Sequence, residues 1–330
     1  MINTIYVEEE VQAHKRVAEI LQRFPKAEVI SCQHYGEVFN RKAQNFRLQK
    51  QNPALLLSAK HKQFVLPAPA AYGIGGDKNF YFSHMMNCIY DCRYCFLQGM
   101  YQSANYVLFV NYEAFVQAIK NTLNENPGET CYFFSGYDCD SLALEPVTGF
   151  IEYMLPVFES LPNAILELRT KSTQIRGLLD RKAFENCVVA FSLSPDNIVQ
   201  ALEDKTPDLV KRLAAMKKLQ DAGWKVGLRF DPIIYHASYK ESYQDLFDKV
   251  FSSLDVESIH SVSLGGFRMP VNFFKKMVRL YPDEKLFASP MQDSNGMMEY
   301  EKNLEEDMLG FCELEILKYI NQSQFFPCYE

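Results

Sequence analysis

Residues 88–95 read Cys88-Ile89-Tyr90-Asp91-Cys92-Arg93-Tyr94-Cys95, and this run decides how the rest of the chain is read. Its spacing is C-x3-C-x2-C, with the aromatic Tyr94 just before the last cysteine. A [4Fe–4S] cluster has four irons, and thiolates are their normal protein ligands. Three thiolates leave one iron open. The amino and carboxylate groups of S-adenosylmethionine (SAM) can chelate that iron. One electron from the reduced cluster can then cleave the sulfonium to methionine and a 5′-deoxyadenosyl radical. The cofactor carries such chemistry, and the protein supplies position and shielding.

Other readings of the triplet stay open on spacing alone. Zinc takes four ligands, and His84 would complete an H-x3-C-x3-C-x2-C set. Buried cysteines can also cluster by chance. Disulfides are disfavoured, because three is odd and the chain shows no secretory signal. A zinc or unreactive cluster site would make the chain a non-catalytic iron–sulfur or zinc-binding regulatory protein. Tyr94 and the residues downstream favour the SAM-cluster reading.

The chain has 330 residues, 48% of them hydrophobic, and a formal net charge of −7. That suits one large domain or two modest ones with a sizeable core. No apolar run reaches the roughly 18 residues of a membrane span, and the acidic start lacks a signal-peptide core. A cytoplasmic protein is expected, in a compartment that keeps thiols reduced. The other cysteines are Cys32, Cys131, Cys139, Cys187, Cys312 and Cys328. They form no second C-x2-C or C-x3-C pair, so no second cluster is expected. Charge is unevenly spread. Between Val38 and Gly76 there is no acid, while Arg41, Lys42, Arg47, Lys50, Lys60 and Lys62 are basic. Such a run is either a solvated face or a contact for phosphate. Acids dominate after Tyr281, as in Glu305-Glu306-Asp307.

Three units are expected: an N-terminal α/β unit over 1–76, a main unit over 77–282, and a hairpin and helix extension over 283–330. The first unit reads as a strand at Asn3–Val7, a helix at Glu9–Arg23 and a strand near Ala27–Ser31. It ends in the turn-rich run Pro67–Gly76. From Phe80 onward, strands at 80–83, 130–135, 164–169, 188–193, 225–234 and 259–264 alternate with helices at 112–124, 147–161, 172–179, 206–222, 239–254 and 270–281. Pro207 is placed in a first helical turn. Alternation of this kind implies parallel βα units, curled by right-handed crossovers into an open, partial TIM-like (β/α)6 barrel. Sites in such barrels gather at the C-terminal strand ends, where the cysteine loop falls. Ser294-Asn295-Gly296 signals a hairpin, with a helix at 301–320 behind it.

With these residues in view, the chain resembles the radical-SAM family of spore photoproduct lyase and its relatives. The resemblance runs over nearly the full length. It rests on Cys88–Phe96 with Leu97-Gln98, and on the run Asp140–Gly149. It rests also on Arg169-Thr170-Lys171, Phe191–Ser194, Ala222–Gly227 and the final Cys328-Tyr329-Glu330. The resemblance implies a [4Fe–4S] cluster on Cys88, Cys92 and Cys95, and SAM as second cofactor. It implies Lys171 and Ser192 at the methionine end of SAM, with Tyr94 beside the adenine. It implies a lyase that repairs the thymine dimer 5-thyminyl-5,6-dihydrothymine in DNA, through hydrogen abstraction, scission of the inter-thymine bond and quenching by a thiol. Damaged DNA and a flavodoxin- or ferredoxin-type reductase would be its partners.

The chain departs from that pattern at four places. The family's thiol donor falls at Tyr137, and its neighbouring SAM-contacting serine at Cys139. The relay tyrosine after the third cysteine is Phe96. The basic residue of the lesion-opening hairpin is Glu299, followed by Tyr300. Tyr137 and Cys139 stand two apart near a strand end, so both are expected to face one way and to share the catalytic role with Tyr94. Altered activity on the thymine photoproduct, or another substrate altogether, is the expectation these changes carry.

Overall fold

The computed structural model describes residues 2–69 and 72–328. Six parallel strands follow one another in chain order: Lys78–Phe82, Cys131–Ser135, Ala164–Thr170, Cys187–Ser192, Lys225–Ile233 and Ile259–Gly266. Every neighbouring pair is parallel. All six residues of Cys187–Ser192 are buried, as expected for a strand covered on both faces. The sheet curls into an open half-barrel, the architecture expected from the alternation of strands and helices.

Both edges of this half-barrel carry additions. Leu66–Pro67 pairs antiparallel with the first strand. Along the last strand, Phe325 bridges Val262 in parallel, and the Cys328 N–H donates to the Leu264 carbonyl at 2.8 Å. The tail thus brings Cys328 to the barrel rim. Tyr329 and Glu330, part of the family-like ending, lie outside the described residues, as do Ala70 and Ala71 of the turn-rich run.

A second sheet stands beside the barrel, in the order Glu28–Cys32, Thr4–Glu8, Leu55–Ser58, Tyr106–Phe109, Met85–Met86. Its last two strands come from beyond residue 76. They bracket the cysteine run on either side in sequence, so the loop is tied at both ends to the N-terminal sheet.

Several helices differ from their sequence expectation for local reasons. The helix expected from Thr206 starts at Leu209, because the Asp208 carboxylate caps it by accepting the Lys211 N–H at 2.9 Å. Asp is the better cap, so Pro207 stays outside. The expected helix 147–161 is two pieces, Glu145–Thr148 and Phe150–Glu159, divided by Gly149 at φ 58°. Only glycine takes that left-handed conformation cheaply. In place of a helix at 172–179, only Arg176–Leu179 is helical, since Ser172 Oγ accepts the Gln174 N–H and holds a turn. The expected first helix begins as a 3-10 turn, Glu9–Val11, and becomes α-helical over Lys15–Arg23.

The hairpin forms as read. Met291–Ser294 and Met297–Tyr300 are joined through Asn295 and Gly296, both at positive φ, and Arg268–Pro270 adds a third strand. The helix Lys302–Ile316 follows it and packs on the helix Tyr239–Ser253 and the last barrel strand, Ile259–Gly266. Among the described residues no helix is long and apolar enough to cross a membrane.

Candidate active site

The cysteine loop leaves the first barrel strand and borders a cavity of about 1230 Å³. Cys88, Cys92 and Cys95 line it together with Tyr94. Tyr137 and Cys139, after the second strand, Lys171, after the third, and Ser192, at the end of the fourth, line the same space. All eight residues singled out in the sequence therefore meet at one place.

The loop is held through its backbone. Lys50 Nζ donates to the carbonyls of Cys88 at 2.7 Å and Tyr90 at 2.8 Å. Gln98 Nε2 donates to the Cys92 carbonyl at 2.6 Å. Asn87, at φ 68°, donates to the carbonyls of Ser103 and Asn105, both at 2.7 Å. The short strand Asp91–Cys92 pairs antiparallel with Glu203–Asp204, and Arg93 ties Asp91 to Asp204 at 3.0 and 2.6 Å.

Burial pushes the Cys88 thiol up to about 12, with Asp140 adding to the shift. It raises Cys92 and Cys95 as well. These sulfurs lose their protons only to a strongly bound metal. Among the described residues no three His, Cys, Asp or Glu side chains converge tightly enough to share a single ion. Thiolates of a cubane each bind a different iron and stand farther apart than ligands of one ion. His84 does not complete a zinc set. It is 1% exposed and stacks on Phe150 with centroids 3.8 Å apart, and burial pulls its imidazole down to about 3. It is a core histidine. Three soft thiols on a fixed loop with no imidazole fit an iron–sulfur cluster better than zinc.

Next to the loop lies a buried charge knot that the sequence did not reveal. Glu203 accepts from the Tyr94 hydroxyl, from Ser194 Oγ at 3.0 Å, and from Arg212. Arg212 is fully buried and also reaches the Ser192 carbonyl at 3.1 Å. Lys171 Nζ stands 5.4 Å from the centre of the Tyr94 ring. Burial alone would raise the Glu203 carboxyl, but Lys171 and Arg212 outweigh it and hold it below its usual value. The same carboxylate, with Cys92, keeps the Lys171 amine above its ordinary value against burial. Lys171 is thus a fixed cation.

Asp140 fastens the other side. It accepts from Thr170 Oγ1 at 2.6 Å, from the Lys171 N–H at 2.7 Å, and from the N–H groups of Leu142 and Ala143 at 3.0 and 2.9 Å. Before it, Gly136 turns the chain at φ 90°, where a Cβ would stand 2.6 Å from Ser141 Oγ. Tyr137 and Cys139 follow in the bend after the second barrel strand, and both line the cavity. Tyr137 stacks on Tyr81 at 4.3 Å and leans on Phe96 at 5.6 Å. Cys139 is 6% exposed and within reach of the Met85 backbone N–H. Burial, then Cys88 and Asp138, drives its thiol well above the ordinary value, so it keeps its proton.

Behind Arg169, which lines the cavity, lies a second knot. Glu167 pairs with Arg229 at 2.8 Å and Arg169 at 3.0 Å. These two guanidiniums overcome burial and bring its carboxyl to about 2. At the mouth, Arg268 lies opposite Glu299 across the hairpin. Glu305 presses on Gly266 so closely that a Cβ there would stand 1.9 Å from its Oε1. Burial and the neighbouring Glu299 raise the Glu305 carboxyl.

The family model described as spore photoproduct lyase matches residues 79–296. Spore photoproduct lyase of Bacillus subtilis (strain 168) is 27% identical over 177 residues, which is 53% of this chain and 52% of that protein. The lyase of Geobacillus sp. (strain Y412MC61) is 24% identical over 169 residues, 51% of this chain and 50% of its own length. These matches span about half the length of the curated relatives. A double mutant of spore photoproduct lyase solved with bound AdoMet and dinucleoside spore photoproduct superposes with a TM-score of 0.87 at 17% identity, covering 100% of this chain and 98% of that one. A spore photoproduct lyase complexed with dinucleoside spore photoproduct gives 0.85 at 16%, with the same coverage.

Proposed function

This chain belongs to the spore photoproduct lyase family, and on that premise we propose that it is a radical-SAM enzyme acting on a thymine lesion. One observation carries the proposal. The three cysteines of one loop share a cavity with a fixed cation, Lys171, and a protonated thiol, Cys139.

In this reading Cys88, Cys92 and Cys95 hold a [4Fe–4S] cluster. Lys171 meets the SAM carboxylate and Ser192 adds a polar contact. Tyr94, its hydroxyl committed to Glu203, offers its ring to the adenine. When bound, cluster and SAM together supply a carbon radical able to take a hydrogen atom from the substrate. The chain's own residues then exclude water, orient the lesion and return a hydrogen atom. Cys139 suits that return, because a buried thiol keeps its S–H. The Tyr137 phenol is the second donor in the same cavity. Electrons come from a flavodoxin- or ferredoxin-type protein. The free thiols of the described residues suit the reducing cytoplasm.

The mouth favours a particular presentation of the lesion. Glu299, Glu305, Glu306 and Glu313 outnumber Arg268 and Lys302 along this part of the lining, which disfavours a long run of phosphates, so we place the lesion in a short or single-stranded context rather than within a long duplex. The test is anaerobic reconstitution followed by assay of 5′-deoxyadenosine with irradiated dinucleotides, single strands and duplexes. We expect release with all and product repair strongest with the shorter substrates. SAM cleavage without repair of any thymine substrate would overturn the substrate, and no SAM cleavage would overturn the enzyme.

A further inference from the structure

Lys50 is a buried cation that the mechanism above does not use. It sits on the helix Phe46–Gln51 of the N-terminal unit and is 6% exposed. Its amine reaches the carbonyls of Cys88 and Tyr90, 2.7 and 2.8 Å away. A buried lysine is normally paired with a carboxylate. Among the described residues, Lys50 forms no ion pair with an Asp or Glu within 4.0 Å. Its two acceptors are neutral carbonyls that flank the first cysteine of the loop. Burial disfavours the charged form of this amine, and no carboxylate among the described residues is paired with it to offset that cost. Lys205, in the turn after the short strand that pairs with the loop, donates to the Lys50 backbone carbonyl at 3.1 Å and fixes its main chain, while its own charge opposes that of the Lys50 amine.

We propose that Lys50 is a positioning residue whose counter-charge is the thiolate-bound cluster, and that it sets the shape of the cysteine loop and eases reduction of the cluster. The inference rests on the reading that these cysteines hold a [4Fe–4S] group. Its physical basis is simple. Reduction adds one negative charge beside a desolvated positive one, and nearby charge is among the determinants of cluster potential. The loop geometry would be kept by any donor at this position, whereas the potential responds to the charge. The two roles can therefore be separated.

The experiment compares wild type, K50Q and K50R after anaerobic reconstitution. Iron content is measured together with the midpoint potential, by redox titration followed through the EPR signal of the reduced cluster. Circular dichroism of the apo proteins checks that the variants fold. We expect K50Q to shift the midpoint to a more negative value and K50R to restore it toward wild type. K50Q titrating at the wild-type midpoint overturns the inference. So does K50R losing the cluster as fully as K50Q, because a retained cation should rescue. Wild type that takes up no cluster at all would instead defeat the functional reading beneath it.

Discussion

Glu203 lies directly opposite Cys92 in a two-residue antiparallel pairing. Its carboxylate accepts the Tyr94 hydroxyl and the buried Arg212. One residue therefore joins the backbone of the cysteine loop to the side chains behind it. Removing it strands Arg212 without its charge partner. We expect Glu203→Ala to cost about 3–5 kcal/mol, the scale for breaking a buried pair, with Glu203→Gln costing less. Denaturant unfolding of the apo protein measures this, and a loss below 1 kcal/mol would mean that water replaces the carboxylate.

Each of Cys88→Ala, Cys92→Ala and Cys95→Ala should remove the iron–sulfur absorbance or leave a labile cluster. Iron and sulfide analysis after reconstitution checks it. Unchanged iron content with intact SAM cleavage would count against the ligand set.

Lys171→Ala should weaken SAM binding about tenfold to a hundredfold, the range of a charge-assisted contact, while the cluster remains. Binding measured on the reconstituted protein tests this directly. Equal affinity would detach Lys171 from the cofactor and leave it a partner of Glu203 only.

The donor question separates two residues that share a cavity. Cys139→Ala should raise 5′-deoxyadenosine release per repaired lesion and produce side products. Tyr137→Phe should leave coupling intact if the thiol is the donor. The reverse pattern would assign the role to Tyr137. That tyrosine is held between Tyr81 and Phe96, a setting that restricts its motion.

His84 gives a pH dependence of known sign. Its folded-state value is about 3 against an ordinary 6.5. Between those values the unfolded chain binds the proton and the folded chain does not. Stability is therefore full above about 6.5 and falls as pH drops toward 3, by up to about 1.4 kcal/mol per unit. His84→Phe should flatten that slope between pH 6 and 4 while changing little at pH 7.5. Parallel slopes for both proteins would show that other groups dominate.

The barrel was legible because several of its strands are short apolar runs alternating with helices, as in Cys131–Ser135 and Cys187–Ser192. Leu55–Ser58 and Tyr106–Phe109 were not read as strands. Four apolar residues carry no periodicity that separates strand from buried coil. Among site residues the cysteines were legible because their chemistry depends on covalent spacing. Glu203 was not, since it meets Tyr94 from 109 positions away and nothing local marks that pairing. Lys50 was misleading. Its run of basic neighbours suggested a solvated or phosphate-binding face, yet its amine is turned inward to the Cys88 and Tyr90 carbonyls.

The placement of Met85–Met86 and Tyr106–Phe109 in the N-terminal sheet bears on how this family can be cut and shuffled. A fragment starting at residue 79, where the family match begins, would keep those two strands but lose Leu55–Ser58, the neighbour on which Tyr106–Phe109 pairs. It would expose a bare, apolar strand edge of the kind that templates aggregation, next to the loop it most needs to keep ordered. Expression boundaries that keep the cysteine loop ordered have to carry the first sheet along with the barrel.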